Sequence, residues 1–317
     1  MRRLNGILIL IIITGQLLAA QTGQDPIRIS MPYPVHSQYL QNGLIINPAY
    51  AGSRESLSLF GSVRKQWWGI PGSPLFETLS IHSLLKNNHI GLGMTAQFLT
   101  YGPTQAISVY AVYAYHLNLG RTVLSMGMRG GFDYSNTNYS GIQTVVKPDD
   151  AFPTGNVPYF MPNVGAGVYL YNRKFFVGAS IPQFLGYVKS NSGNVSFSAF
   201  QKIDVQATAG CLLRFSPVFK FKPSVFVDYS LDRTKPMRID INGNFIISDL
   251  VWVGGSWRTN EKVAVGILQL QVSPKIMIGY SYDYALGTMS TYSKGSHEMI
   301  LRYEFGYKVT ASNPRYF

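Results

Sequence analysis

Residues Phe219–Leu231 read FKFKPSVFVDYSL, and their spacing decides the fold. Phe219, Phe221, Val225, Val227, Tyr229 and Leu231 fall on one face of an extended chain. Lys220, Lys222, Ser224, Phe226, Asp228 and Ser230 fall on the other. A strand of a soluble sandwich runs about 5–6 residues, whereas a tilted membrane strand needs about 9–11. This run has the membrane length, with an apolar face for lipid and a polar face for a lumen. The pattern returns downstream: Met237, Ile239, Ile241 and Phe245 oppose Arg238, Asp240, Asn242 and Asn244, and Met299, Leu301, Tyr303 and Phe305 oppose Glu298, Arg302 and Glu304.

Working outward from these segments, about fourteen strands can be placed between Leu57 and Tyr307, an even number as closed bacterial barrels require. The expected fold is therefore all-β, a transmembrane antiparallel β-barrel with an amino-terminal plug or periplasmic segment. Its divisions are a signal peptide over 1–20, the plug or periplasmic segment over 21–55 and the barrel over 56–317. In the segment Lys262–Gln271 the alternation slips near Leu268, which predicts a bulge there. Connection lengths alternate as a barrel demands. Trp67–Leu75, Ser135–Met161, Val188–Lys202 and Ala285–Gly295 are long and share one side, while Asn118–Arg121, Asn172–Lys174, Ser216–Val218, Ser248–Leu250 and Ser273–Lys275 are tight and share the other. With the amino-terminal segment in the periplasm, the long set faces the cell surface.

Composition agrees with this class. Charged residues make up 13% and aromatics 14%, with 21 Tyr and 31 Gly; a soluble domain carries about 25% charge, and interfacial aromatic girdles account for the tyrosines. Arg2 and Arg3 precede the apolar run Ile7–Ile13, and Leu17–Ala20 leads to a cleavage point before Gln21, the pattern of a secretory signal peptide. Thr14, Gly15 and Gln16 interrupt the run, which is too short for a spanning helix. The single cysteine, Cys211, supplies no disulfide framework for an exported chain. The net charge of +12 becomes +10 without Arg2 and Arg3. Many of its basic residues sit on lumen faces or at strand ends, and no Lys/Arg cluster forms a nucleic-acid module, so no nucleic-acid partner is expected.

The sequence carries no phosphate loop, HExxH, paired ligand cysteines or nucleophile elbow, and neither catalysis nor a cofactor is expected. Asp149 and Asp150 are too few for a calcium site and read as a solvated loop. His297 and Glu298 are adjacent on a strand, so they point to opposite faces and form no dyad. Arg64 and Gln66 share a face with Ser58, Phe60 and Ser62 and are expected to line the lumen, with Lys65 snorkelling toward headgroups. Trp67 and Trp68 fall at the membrane boundary, where tryptophan anchors strands; recognition of an exported partner is the other use open to them. Between Gln21 and Tyr50 four prolines, Pro26, Pro32, Pro34 and Pro48, prevent a regular strand, while Tyr39, Leu40, Leu44, Ile45 and Ile46 are too apolar for a loose tail. Part of this segment is expected to pack in or beneath the lumen, with Asn47–Pro48 extended and Gly52 turning the chain into the first strand. The other reading is an amphipathic periplasmic segment that binds a machine component.

The stretch Asn47–Pro74, NPAYAGSRESLSLFGSVRKQWWGIPGSP, resembles the PorP/SprF family in Asn47, Pro48, Ala49, Tyr50, Ala51, Gly52, Arg64, Gln66, Trp67, Gly69, Gly72 and Pro74. Lys65 separates the arginine and glutamine of the tryptophan motif, and Trp68 doubles its aromatic. Further blocks follow in the family's order: HSQYLQNGLIINPAYAG from His36 to Gly52, DDAF with Asp150 and Phe152, Pro162–Gln183, and Gly279–Phe305, which holds Asp283, Ser296, His297 and Glu298. The resemblance implies a noncatalytic outer-membrane component of the type IX secretion and gliding machinery that assists export or surface attachment of cargo. The implied partners are a secreted adhesin or enzyme with a secretion-targeting carboxy-terminal domain, periplasmic components including a peptidoglycan-associated lipoprotein, and membrane lipid. A passive diffusion channel is the alternative, and it needs an open lumen.

Overall fold

The computed structural model describes residues 35–85, 88–141, 155–189, 195–199, 203–231 and 235–305. The expected signal peptide, residues 21–34, Asp150 and Phe152 lie outside these. In chain order the strands are β1 (Leu57–Lys65), β2 (Leu75–Leu84), β3 (Ile90–Tyr101), β4 (Thr104–Leu119), β5 (Thr122–Asn138), β6 (Asn156–Tyr171), β7 (Phe175–Ile181), β8 (Leu185–Lys189), β9 (Val195–Ala199), β10 (Asp204–Cys211), β11 (Leu213–Arg214), β12 (Phe219–Ser230), β13 (Arg238–Ile247), β14 (Val251–Arg258), β15 (Val263–Ser273), β16 (Ile276–Ala285) and β17 (Ser296–Phe305). The chain divides into two compact units. The larger, 32–186 with 199–317, holds the barrel and its contents, and most of the β8–β9 ribbon falls in the smaller.

Every neighbouring pair in the barrel is antiparallel. The β1–β17 and β10–β12 pairings complete the ring. With β10 and its short continuation β11 counted as one, the ring has fourteen staves, the number read from the sequence. Burial follows the alternation but is inverted relative to a soluble protein. Ile241, Met299 and Leu301 are 55%, 64% and 53% exposed, while their neighbours Asp240, Glu298 and Arg302 are 0%, 1% and 4% exposed. Lipid accepts the apolar surface. The enclosed polar groups must find partners inside the barrel, because an unpaired buried charge is costly.

Two expectations change. β5 runs to Asn138 and β6 begins at Asn156, so the connection expected over Ser135–Met161 is shorter than read. The extra rungs pair Ser135 with Tyr159 and Asn138 with Asn156. On the β5 side these rungs carry Ser135, Asn136, Thr137 and Asn138, polar on both faces, so the lipid-facing signal is missing there, and on the β6 side Pro158 breaks the strand reading of Val157–Met161. The expected bulge near Leu268 is absent. β15 alternates through Leu270, with Val263, Val265 and Ile267 inward, and the irregularity falls between Gln271 and Ser273. The apparent slip arose because this strand turns apolar side chains to both lipid and interior.

Candidate functional site: a filled lumen

Residues 36–54 are almost wholly buried. They form three single 3-10 turns, Tyr39–Gln41, Gly43–Ile45 and Pro48–Tyr50, and no α-helix. Asn47 sets the last turn. Its backbone is extended (φ −141°, ψ 115°) ahead of Pro48, and its side-chain oxygen accepts a 2.9 Å hydrogen bond from the Ala49 amide. The same side chain donates from Nδ2 to the Val168 carbonyl (2.9 Å) and reaches the Ala179 carbonyl (3.4 Å), tying the turn to β6 and β7. Gly52, at φ +81°, then makes the bend toward β1. Its amide donates to His82 Nδ1 (3.1 Å), and His116 Nε2 lies 2.8 Å from the Ala51 carbonyl.

The wall is shaped for this segment. A Cβ on Gly127 of β5 would lie 2.3 Å from the Ala49 nitrogen, and one on Gly91 of β3 would lie 2.0 Å from the Ala51 oxygen. On Gly167 of β6 it would lie 2.2 Å from Asn47 Oδ1, and on Gly279 of β16 2.5 Å from Gln38 Oε1. These are inward positions on four strands, and only residues without side chains leave room for the plug's backbone and amides. The sequence showed glycines there but no pattern that pointed to a seat, because a missing side chain leaves no periodic signal.

Charged groups hold the other side. Ser37 is encircled at the long-loop end of the barrel: its amide donates to Glu298 Oε2 (2.7 Å) and its hydroxyl to Asp283 Oδ1 (2.7 Å). The hydroxyl in turn accepts from Arg64 (3.0 Å) and Arg258 (3.2 Å). Arg64 pairs with Asp283 at 2.7 Å and Glu298 at 3.2 Å, and Arg258 with Asp283 at 3.3 Å and Asp240 at 3.4 Å. Below this clamp, Gln269 bonds Gln38 (3.0 Å) and Gln41 (2.7 Å), and Asn242 bonds the Tyr39 hydroxyl (2.7 Å). Arg302 reaches Gln41. Nearer the tight turns, Arg54 pairs with Glu304 at 2.5 Å and bonds Tyr50 at 3.1 Å. A small pocket remains, lined by plug residues such as Tyr39 and Tyr50 and by wall residues including Tyr169, Phe176 and Lys222.

The residues singled out from sequence therefore separate into two groups. Asn47, Pro48, Ala49, Tyr50 and Gly52 are the seated part of the plug, and Arg64, Asp283 and Glu298 are wall residues of the clamp, with Arg64 facing the lumen as expected. Gln66, Trp67, Gly69 and Pro74 belong to the β1–β2 connection, where the Gln66 amide bonds the Pro74 carbonyl (2.9 Å). Ser296 accepts from the Trp67 amide (3.1 Å), and two bonds between Trp68 and Lys294–Gly295 join this connection to the one before β17. His297 points outward, opposite to Glu298, and packs with Trp68, Tyr280 and Tyr282. Sequence reading missed Ser37, Arg258, Asp240, Gln269 and the glycine seat. The first four are single polar residues whose meeting depends on barrel closure. In the connection between β12 and β13, Lys235 bonds Asp204 (2.8 Å) and Asp228 (3.0 Å). Burial lowers its proton affinity, but these carboxylates outweigh that and hold its pKa above the ordinary lysine value. Among the described residues no three His, Cys, Asp or Glu side chains gather into a metal site.

These features define a class: a closed membrane β-barrel whose lumen is occupied by its own amino-terminal segment. Over residues 30–303 the chain matches the model of the type IX secretion system membrane protein PorP/SprF family, and it belongs to that family. It is accordingly an outer-membrane component of type IX secretion. No curated protein matches it. Among solved structures it is similar to the CymD monoaromatic hydrocarbon channel (12% identity, 88% of this chain and 95% of that one, TM-score 0.49). It is also similar to the Acinetobacter baumannii outer membrane protein Omp33 (8% identity, 79% and 98%, TM-score 0.47).

Proposed function

We propose that this protein is a noncatalytic accessory of the secretion and gliding machinery that assists export or surface attachment of cargo proteins. Its long loops face the cell surface and meet a secreted adhesin or enzyme, while its tight turns face periplasmic components, including a peptidoglycan-associated lipoprotein. The filled lumen carries this reading. A diffusion channel needs a continuous aqueous path, whereas here backbone, glycine seat and ion pairs hold a peptide against staves all round the ring. Family membership supports the secretion role, and the Trp67–Pro74 and Ala285–Gly295 connections, bonded to each other, offer cargo a surface fixed in place.

Crosslinking and affinity purification from native outer membranes test the assignment. Co-recovery of an exported surface protein and periplasmic secretion components is expected, and recovery of the barrel alone would sink it. The channel alternative is separated by conductance in lipid bilayers. The intact protein should be nearly silent, and a variant lacking residues 21–52 should insert and conduct. Steady conductance from the intact protein would favour the channel.

A further inference from the structure

The plug has a direction. Its first clamped residue, Ser37, lies where β1 and β14 end and β17 begins. Arg64 is the next-to-last residue of β1, Arg258 the last of β14, and Glu298 the third of β17, so all three mark the long-loop end. Successive plug residues then bond progressively further along the strands. Tyr39 meets Asn242 midway along β13, and Gln41 meets Gln269 in the second half of β15. Asn47 reaches Val168 near the tight-turn end of β6, and Gly52 reaches His82 near that end of β2. Arg54 pairs with Glu304, next to last in β17. The segment thus crosses the lumen from the long-loop mouth to the tight-turn mouth before β1 turns back.

We infer that the amino-terminal end of the plug opens on the same side of the membrane as the long loops, so a partner that grips the plug at Val35 reaches it from that side. Combined with the orientation proposed above, a step that rests on that reading, this end faces the cell exterior and exported proteins. The periplasmic machinery meets only the opposite end, at Glu55 and Ser56. A plug entered from the periplasm would place Val35 among the tight turns, and no bond of residues 36–39 lies there.

Single cysteines test this in a Cys211→Ala background, in whole cells and after outer-membrane permeabilisation, with a membrane-impermeant thiol reagent. Val35→Cys is compared with Thr291→Cys, exposed in a long connection, and Lys275→Cys, exposed in a tight turn. Val35→Cys is expected to label under the condition that labels Thr291→Cys. Labelling only with Lys275→Cys, or under neither condition, would overturn the inference. The comparison is relative: if Thr291→Cys and Val35→Cys both required permeabilisation, the orientation would fall and the plug's direction would stand.

Discussion

Gly127→Val is expected to unseat the plug and turn a nearly silent barrel into a conducting one. A Cβ at this position would lie 2.3, 2.4 and 2.5 Å from the backbone of Pro48 and Ala49, and backbone cannot swing aside as a flexible side chain can. The turn is also pinned by Asn47 to two carbonyls of the wall, so relief requires the whole motif to lift. Overpacking of this kind costs about 1–3 kcal/mol or more, which falls on the plug because the outer ladder is untouched. Bilayer conductance should rise sharply while heat-modifiable migration persists. Gly266→Val is the control, since nothing lies within 4 Å of a Cβ built there. Equal behaviour of the two variants would mean that the lumen is not sealed at this seat.

Arg64→Met should be the most destabilising single change in the clamp. It leaves Glu298 buried without its ion partner and takes from Asp283 one of its two guanidinium partners. Removing one member of a buried pair typically costs about 3–5 kcal/mol, because the orphaned charge remains desolvated. The thermal transition of the folded barrel should fall accordingly. Arg64→Met with Glu298→Gln should recover part of the loss, since an amide is cheaper to bury than a carboxylate. A double variant as unstable as the sum of both single changes would show that Arg64 and Glu298 are not coupled.

Barrel class and stave number were legible because lipid imposes a strict demand on every second side chain of each spanning segment. Phe219–Leu231 and Met299–Phe305 show it plainly. Strand ends were less legible: Ser135–Asn138 is polar on both faces and Asn156–Met161 carries Pro158, so both read as loop. The apolar content of Leu44–Ile46 correctly signalled a buried segment. Its direction was unreadable, because single 3-10 turns and prolines carry no periodicity and the partners Arg258, Asn242 and Gln269 stand some 200 residues downstream. The site residues inherited from the motif divided unevenly: Arg64, Asp283 and Glu298 converge on Ser37, whereas His297, adjacent to Glu298, faces away from it.

The β1–β17 ladder that completes the ring joins the chain's first and last staves, in register from Leu57 with Phe305 to Lys65 with His297. Because the plug immediately precedes β1 and runs the length of the lumen, the order of assembly is constrained. A finished ring would have to admit a peptide through a passage that the peptide itself fills, past glycines with no clearance to spare. The staves must instead wrap around a segment already laid in the nascent curved sheet, and β17 zips to β1 last. Folding intermediates should then show the Asn47–Gly52 motif docked on β5, β6 and β7 before the seam forms, so the plug acts as the template around which the barrel is built.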